Sequence, residues 1–302
     1  VGHGRGAVFG SVLSRLLKEA GFEVDEEYYV NDFGRQMNIL SVSLWIRYAQ
    51  IFDKNIKMLN NGYQGDYLIA IAQNLKKFRS DELYEDDEEI KSLLENENEE
   101  AEKHTDEVID SIKSKLSDEF SYVRDFALRE ILELIKEDLL EFGVDHNHWF
   151  SESALYKSEP HELSKVDQSI EELSSKGFVY EKEGAIWFKS SELGDDKDRV
   201  LKRGNGEFTY FASDVAYHLD KYDRGYDRII NIWGSDHHGY LPRVKAAMEA
   251  SKKNVEKLEV VFIQFANLIR AGKKVTMSTR SGEFITLKAV SYTHLTLPTK
   301  RG

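Results

Sequence analysis

Val1-Gly2-His3-Gly4-Arg5-Gly6 opens the sequence, and Ala7-Val8-Phe9 carries it straight into an apolar stretch. Glycines at alternate positions leave bare backbone N–H groups, and a helix N-terminus adds partial positive charge. Together they read as a phosphate cradle with His3 at its mouth. The same glycines equally serve close helix–strand packing, and the motif alone leaves both readings open. Beyond it, Val8, Phe9, Val12, Leu13, Leu16, Leu17 and Ala20 recur at helical spacing, which predicts a helix over 5–20 closed by Gly21. Phe22 to Val30 reads as a strand, Asn31-Asp32-Phe33-Gly34 as a turn, and Arg35 to Asp53 as a second helix. A Gly-rich turn, a helix and a strand in that order make half of a doubly wound α/β unit.

From 54 to 202 the texture changes. Charged helical stretches at Glu88–Lys115 and Asp118–Phe142 dominate, with a small hairpin over Gly177–Lys189 turning at Glu181–Gly184. The α/β pattern returns at 203–290. Glu207–Phe211 reads as a strand, Ala212–Tyr222 as a helix, Arg228–Trp233 as a buried strand, and Leu258–Phe265 as a further strand. The expectation is an α/β fold with a Rossmann-like doubly wound parallel sheet, its halves at 1–53 and 203–290 split by a mostly helical insertion. Residues 291–302 break the pattern and read as a foreign tail.

Composition narrows the classes. The 302 residues are 41% hydrophobic and 31% charged, without a membrane-length apolar run. There is no Cys, which excludes disulfides and thiolate chemistry and disfavours structural zinc. Residues 81–110 hold fifteen acidic residues against two lysines, which accounts for the whole net charge of −13. That acidity reads as a solvated helical face, so the global charge does not exclude an RNA partner.

Four clusters can carry chemistry. Gly2-His3-Gly4 is the first. Tyr28 to Gln36 is the second, at a strand's carboxyl end, where open α/β sheets bind ligands; an ordinary Asx turn is its plain alternative. The third is Trp233-Gly234-Ser235-Asp236-His237-His238-Gly239. Its adjacent imidazoles point apart, so a purine, ribose or substrate contact fits better than a shared metal ion. The fourth, Gly272 to Gly282, gathers Lys273, Lys274 and Arg280 with several hydroxyls, as a mobile phosphate clamp or a basic hairpin. Tyr210 and Asp214 add a phenol and a carboxylate one helical turn apart. Asp214 is either a helix-start carboxylate or the anion that receives a cationic substrate.

In this order the clusters resemble class I aminoacyl-tRNA synthetases, and most closely the arginyl-tRNA synthetases. Val1-Gly2-His3 is similar to the end of that class's HIGH signature, so the chain is read as a fragment cut within it. Gly4 to Gly10 and Glu27 to Gly34 resemble the arginine branch, and Met277-Ser278-Thr279-Arg280-Ser281 resembles KMSKS. The resemblance implies arginine–tRNA ligase activity in the parent protein: ATP with Mg2+ activates L-arginine, and the arginyl group passes to tRNA(Arg). It implies catalytic roles for Gly2, His3 and Lys274, and arginine binding by Tyr210, Asp214 and His237. It implies ATP binding by Gly2, His3, Gly4, Gly234, Asp236, His238, Met277 and Ser278, with no metal ligand from the protein. Thr276 and Thr279 stand where the signature has lysines, which leaves Lys273 or Lys274 as the clamp. A cytoplasmic monomer is implied, and a fragment without the first signature His is expected to be inactive. Another class I synthetase or nucleotidyl transferase, and a non-catalytic RNA-binding module, are the alternatives.

Overall fold

The computed structural model describes residues 2–96, 101–264, 266, 269–270, 273–274 and 286–287. Along the chain come α1 (Gly2–Glu19), β1 (Glu27–Val30), α2 (Arg35–Ala49), α3 (Tyr67–Arg79), α4 (Glu88–Glu95), α5 (Ala101–Leu116) and α6 (Glu119–Glu141). Then follow β2 (His148–Ser151), α7 (Lys165–Ser175), β3 (Val179–Lys182), β4 (Ala185–Phe188), β5 (Arg199–Lys202) and α8 (Tyr210–Asp223). The series closes with β6 (Ile229–Gly234), α9 (Leu241–Ala250), β7 (Leu258–Ile263), β8 (Ile269–Arg270) and β9 (Lys273–Lys274). This is a mixed α/β chain in two compact units, one built on residues 1–31 and 146–266, the other on 32–145.

In the first unit β1 pairs with β2, and β6 with β7, each pair parallel. Helix α9 makes the crossover between β6 and β7, as a parallel pair requires. Strands β3, β4 and β5 form an antiparallel sheet. The hairpin turns on Glu183 and Gly184 alone, both at positive φ (54° and 72°), a two-residue turn tighter than the four-residue one expected. The core gathers Phe150, Leu155, Phe188, Val215, Val244 and Met248.

Helix α1 corrects the opening reading. Gly2, Gly4 and Gly6 are helical, not a turn. Each glycine inside a helix costs about 1 kcal/mol relative to alanine, and packing against the sheet offsets it. Gly6 and Gly10 lie on the face that meets Ile232 of β6. The helix stops as the sequence requires. Gly21, at φ 91°, donates to the Lys18 carbonyl (3.0 Å) and Phe22 to that of Leu17 (3.0 Å), closing the last turn.

In the second unit α2 is buried nearly all round, from Met37 to Ala49, against α3, α5 and α6. A helix apolar on every side belongs in a core. Its polar atoms are satisfied there: Trp45 Nε1 donates to the Leu83 carbonyl (2.9 Å), and the Ser41 and Ser43 hydroxyls donate one turn back. The acidic stretch forms α4 and α5 rather than one helix.

Three further differences are physical. The expected strand 207–211 reduces to one bridge between Phe208 and Lys202, because Thr209 caps α8 and the helix begins at Tyr210. The strand expected over 22–30 is only Glu27–Val30. Helix α2, grouped from sequence with the first α/β half, packs with the helices, while β2 to β5 pack in the sheet unit. Charge texture cannot see the pairing of β2 on β1, which fixes those strands.

Glu27 ties β1 to α8. It accepts from Arg224 Nη1 (2.6 Å) and from the Tyr217 hydroxyl, with Lys221 Nζ at 3.7 Å and His148 Nε2 at 3.2 Å. Removing one member of a buried ionic cluster strands the others, so Glu27→Ala is expected to lower stability by about 3–5 kcal/mol. Urea unfolding would show it as a fall in midpoint at unchanged slope.

Candidate active site

Two parallel strands aim their carboxyl ends at the candidate residues: β1 ends at Val30, and β6 ends at Gly234. Helix α8 begins between them in sequence. Thr209 caps it, its Oγ1 accepting from the Ala212 N–H (3.3 Å) and donating to the Val200 carbonyl (2.8 Å). Tyr210 therefore stands at the first helical position, 72% exposed, and Asp214 lies one turn further in.

The Asp214 carboxylate accepts a hydrogen bond from the Tyr240 hydroxyl. Burial raises its pKa; the Tyr240 bond, His237 and Lys221 oppose that rise without cancelling it. Nearby, Glu152 follows β2 and is only 4% exposed. The Tyr29 hydroxyl is hydrogen-bonded to it, and the Tyr29 phenol is pushed far up by burial and by the charges of Glu152 and Asp214. Tyr156 feels the same two carboxylates. Two carboxylates and three neutral phenols thus gather at the end of β1. Such a site suits a cation that brings several donors of its own.

Behind Asp214 runs a buried polar chain. His218 Nδ1 lies 2.7 Å from the Asp214 carbonyl, which can only accept, so the proton sits on Nδ1. Nε2 then accepts from the Asn231 amide (2.8 Å), whose oxygen accepts from Lys221 Nζ (3.0 Å). Burial pushes His218 down to about 3 and Lys221 down to about 8.

The third sequence cluster forms a short 3-10 segment, Ser235–Tyr240, after β6. Its histidines take different neighbours. His237 faces Trp233 and Tyr240, with ring centroids 6.3 and 6.2 Å away and Asp236 at 3.6 Å. His238 stacks on Phe262 of β7, at 4.3 Å and 24°. Among the described residues no three His, Asp or Glu side chains cluster as metal ligands. The Arg5 guanidinium donates to the carbonyl of Gln264, just past β7 (2.7 Å). That places the first turns of α1, with Gly2, His3 and Gly4, at the same strand end as Gly234, Asp236 and His238.

Other candidates fall differently. The side chains of Gly2-His3 and of Lys273 and Lys274 in β9 lie outside the described set, and so do Met277 and Ser278 altogether. Sequence reading missed Glu152, Tyr156 and Tyr240. For Glu152 the signal was a lone acid directly after the strand His148-Trp149-Phe150-Ser151; for Tyr240 it was an aromatic one residue beyond the glycine of the third cluster.

The profile of the family described as tRNA synthetases class I (R), catalytic domain, matches residues 1–294. The chain belongs to this family. The arginine–tRNA ligase of Hydrogenovibrio crunogenus is 50% identical over 298 residues, covering 95% of this chain and 50% of that protein. That of Azoarcus sp. is 48% identical over 299 residues, with the same two shares. The chain thus spans about half the length of these relatives. A Campylobacter jejuni protein described as an arginyl-tRNA synthetase superposes with a TM-score of 0.77 at 32% identity, over 96% of this chain and 56% of its own. Thermus thermophilus arginyl-tRNA synthetase, at 18% identity and a TM-score of 0.62, shares the fold. Among the described residues of this class I (R) domain, no helix is long and apolar enough to cross a membrane.

His218 is expected to remain neutral, with its proton on Nδ1, across the range in which free imidazole titrates. Its folded pKa lies below the unfolded value of about 6.5. The stability it supports is therefore complete above that value and is lost as pH falls toward about 3. Long-range 15N–1H correlation spectra would show the Nδ1–H tautomer, and a pH series would show no ring shift near neutrality.

Proposed function

We propose that the complete protein is an arginine–tRNA ligase and that this chain carries its activating site. The observation that carries the reading is the pair of carboxylates, Asp214 and Glu152, enclosed by Tyr29, Tyr156 and Tyr240. A planar fork of N–H donors satisfies both acids at once, whereas a single ammonium offers a point charge without that geometry. Asp214 receives the guanidinium from the α8 side, Tyr210 covers it from the first turn of α8, and His237 closes the rim. The doubly wound reading of the sheet rests on β1–β2 and β6–β7, both parallel, both with ligand-facing loops at their carboxyl ends.

Substrate arginine bound this way presents its own carboxylate toward ATP. Gly2, His3 and Gly4, at the head of α1, offer N–H groups and an imidazole to the phosphates. Gly234, Asp236 and His238 lie at the same strand end and serve the adenosine, and Met277 and Ser278 of the second signature are assigned to ATP from the sequence motif. Mg2+ travels with the nucleotide and screens its charge. A carboxylate oxygen of arginine bonds to the α-phosphorus as the bond to the bridging oxygen breaks, giving arginyl-adenylate and pyrophosphate. Lys274 neutralises the departing pyrophosphate. A terminal ribose hydroxyl of tRNA(Arg) then attacks the activated carbonyl and AMP leaves. We assign the protein to the cytoplasm, as a monomer.

In the complete protein, Asp214→Asn is expected to reduce arginine-dependent ATP–pyrophosphate exchange by about 10² or more, since a buried fork then meets an amide in place of a carboxylate. Nucleotide binding should be unchanged. Exchange supported by another amino acid, and not by arginine, would refute the assignment. His3→Ala removes one stabilising donor from the transition state and is expected to lower kcat by about 10²–10³ with little change in the arginine KM.

A further inference from the structure

Among the described residues Tyr240 donates the side-chain hydrogen bond to the Asp214 carboxylate, and it comes from outside α8. It ends the 3-10 segment after β6 and precedes α9, so it belongs to the nucleotide side of the unit by sequence and to the arginine side by contact. Its ring is held from several directions. Phe211 and Trp233 meet it edge-on at 6.2 and 6.0 Å, and the Arg243 guanidinium lies over it at 4.8 Å. Arg243 in turn faces the buried Asp195 at 3.9 Å, and Arg199 grips the same carboxylate at 2.7 and 2.9 Å. A phenol held by two rings and a guanidinium keeps its hydroxyl on the Asp214 carboxylate.

We infer that Tyr240 is a positioning and specificity-determining residue of the arginine site: its hydroxyl occupies one acceptor of Asp214 and turns the remaining lone pairs toward the guanidinium. This rests on the reading of Asp214 as the guanidinium acceptor. A carboxylate has about four lone-pair sites, and a bidentate fork needs two of them in one plane. Free rotation of Asp214 would spread those sites over many directions. The Tyr240 bond selects one, before any ligand arrives. It also favours the ionised carboxyl against the burial that opposes it, and only the anion can take the fork. Because Tyr240 stands between Asp214 and the Arg243–Asp195–Arg199 cluster, its position is set by charges that touch neither substrate.

The groups facing Asp214 decide how this shows in a pH series. They are Tyr240 and His237 after β6, Lys221 on its own helix, Tyr29 on β1, and Glu152 and Tyr156 after β2. Losing the Tyr240 hydroxyl removes a donor to the anion, so the acid limb of arginine binding moves to higher pH.

The test is arginine affinity of the complete protein by titration calorimetry, from mildly acidic to neutral pH, for wild type, Y240F and D214N. Y240F is expected to weaken arginine binding about tenfold near neutrality and more in acid, the scale of one hydrogen bond to a charged group, with ATP affinity unchanged. Fluorotyrosine in place of Tyr240, a stronger donor of nearly the same shape, is expected to move the acid limb the opposite way; it also serves if Y240F does not fold. If D214N loses arginine while Y240F and the fluorotyrosine protein follow wild type at every pH, the role of Tyr240 is overturned and that of Asp214 stands. If D214N binds arginine as wild type does, the guanidinium assignment itself falls, and this inference with it.

Discussion

A helix that buries a polar stripe must find partners for every turn of it, and α8 does so from Asp214 to its C-terminal end. Asp214, Tyr217, His218, Lys221 and, at the C-cap, Arg224 fall on one side of the helix, below the exposed Tyr210. Left unpaired in a core, each would cost more than a hydrogen bond returns. The partners come from three places: Glu27 on β1, Asn231 on β6, and Tyr240 beyond β6. The packing of the strands around α8 is in this sense dictated by what α8 carries. Apolar residues on its other side, Phe211, Ala212, Val215 and Leu219, supply the burial that makes the polar contacts strong.

This arrangement also sorts the charges by purpose. Glu27 meets cations of the protein and is fully committed to them; its pKa falls below the carboxylate norm despite burial. Asp214 accepts from a phenol and, among the described residues, from no guanidinium; burial raises its pKa despite Lys221 and His237. Two acids in the same unit are thus pushed in opposite directions by their neighbours. The one that no described guanidinium grips is the one suited to receive a guanidinium from outside.

Much of this was legible in the sequence. Tyr210 and Asp214 stand out because a four-residue spacing is a local fact, and β6 and β7 follow from two short apolar runs. Gly21 announces the end of α1. Lys252 does the same work after α9 at φ 58°, closing the turn through its own N–H and that of Lys253, yet nothing in a lysine signals a left-handed residue. The glycines of α1 misled, since Gly6 and Gly10 serve a close contact with Ile232, which is remote in sequence. Glu152 and Tyr240 stayed hidden for the same reason. Their roles exist only once β2 lies on β1 and the segment after β6 folds back on α8.

The pairing of β1 with β2 has one more effect. Glu27 stands opposite His148, so a single ladder spans more than a hundred intervening residues, nearly all of which belong to the other compact unit. The entropy of closing so long a loop grows only with the logarithm of its length, but it must be met before any ladder bond forms. The helical segment, rich in contacts between near neighbours in sequence, meets no such delay. The carboxylate site needs both sides of that loop, so a nascent chain that has not yet emitted residues 148–152 has no means of building it.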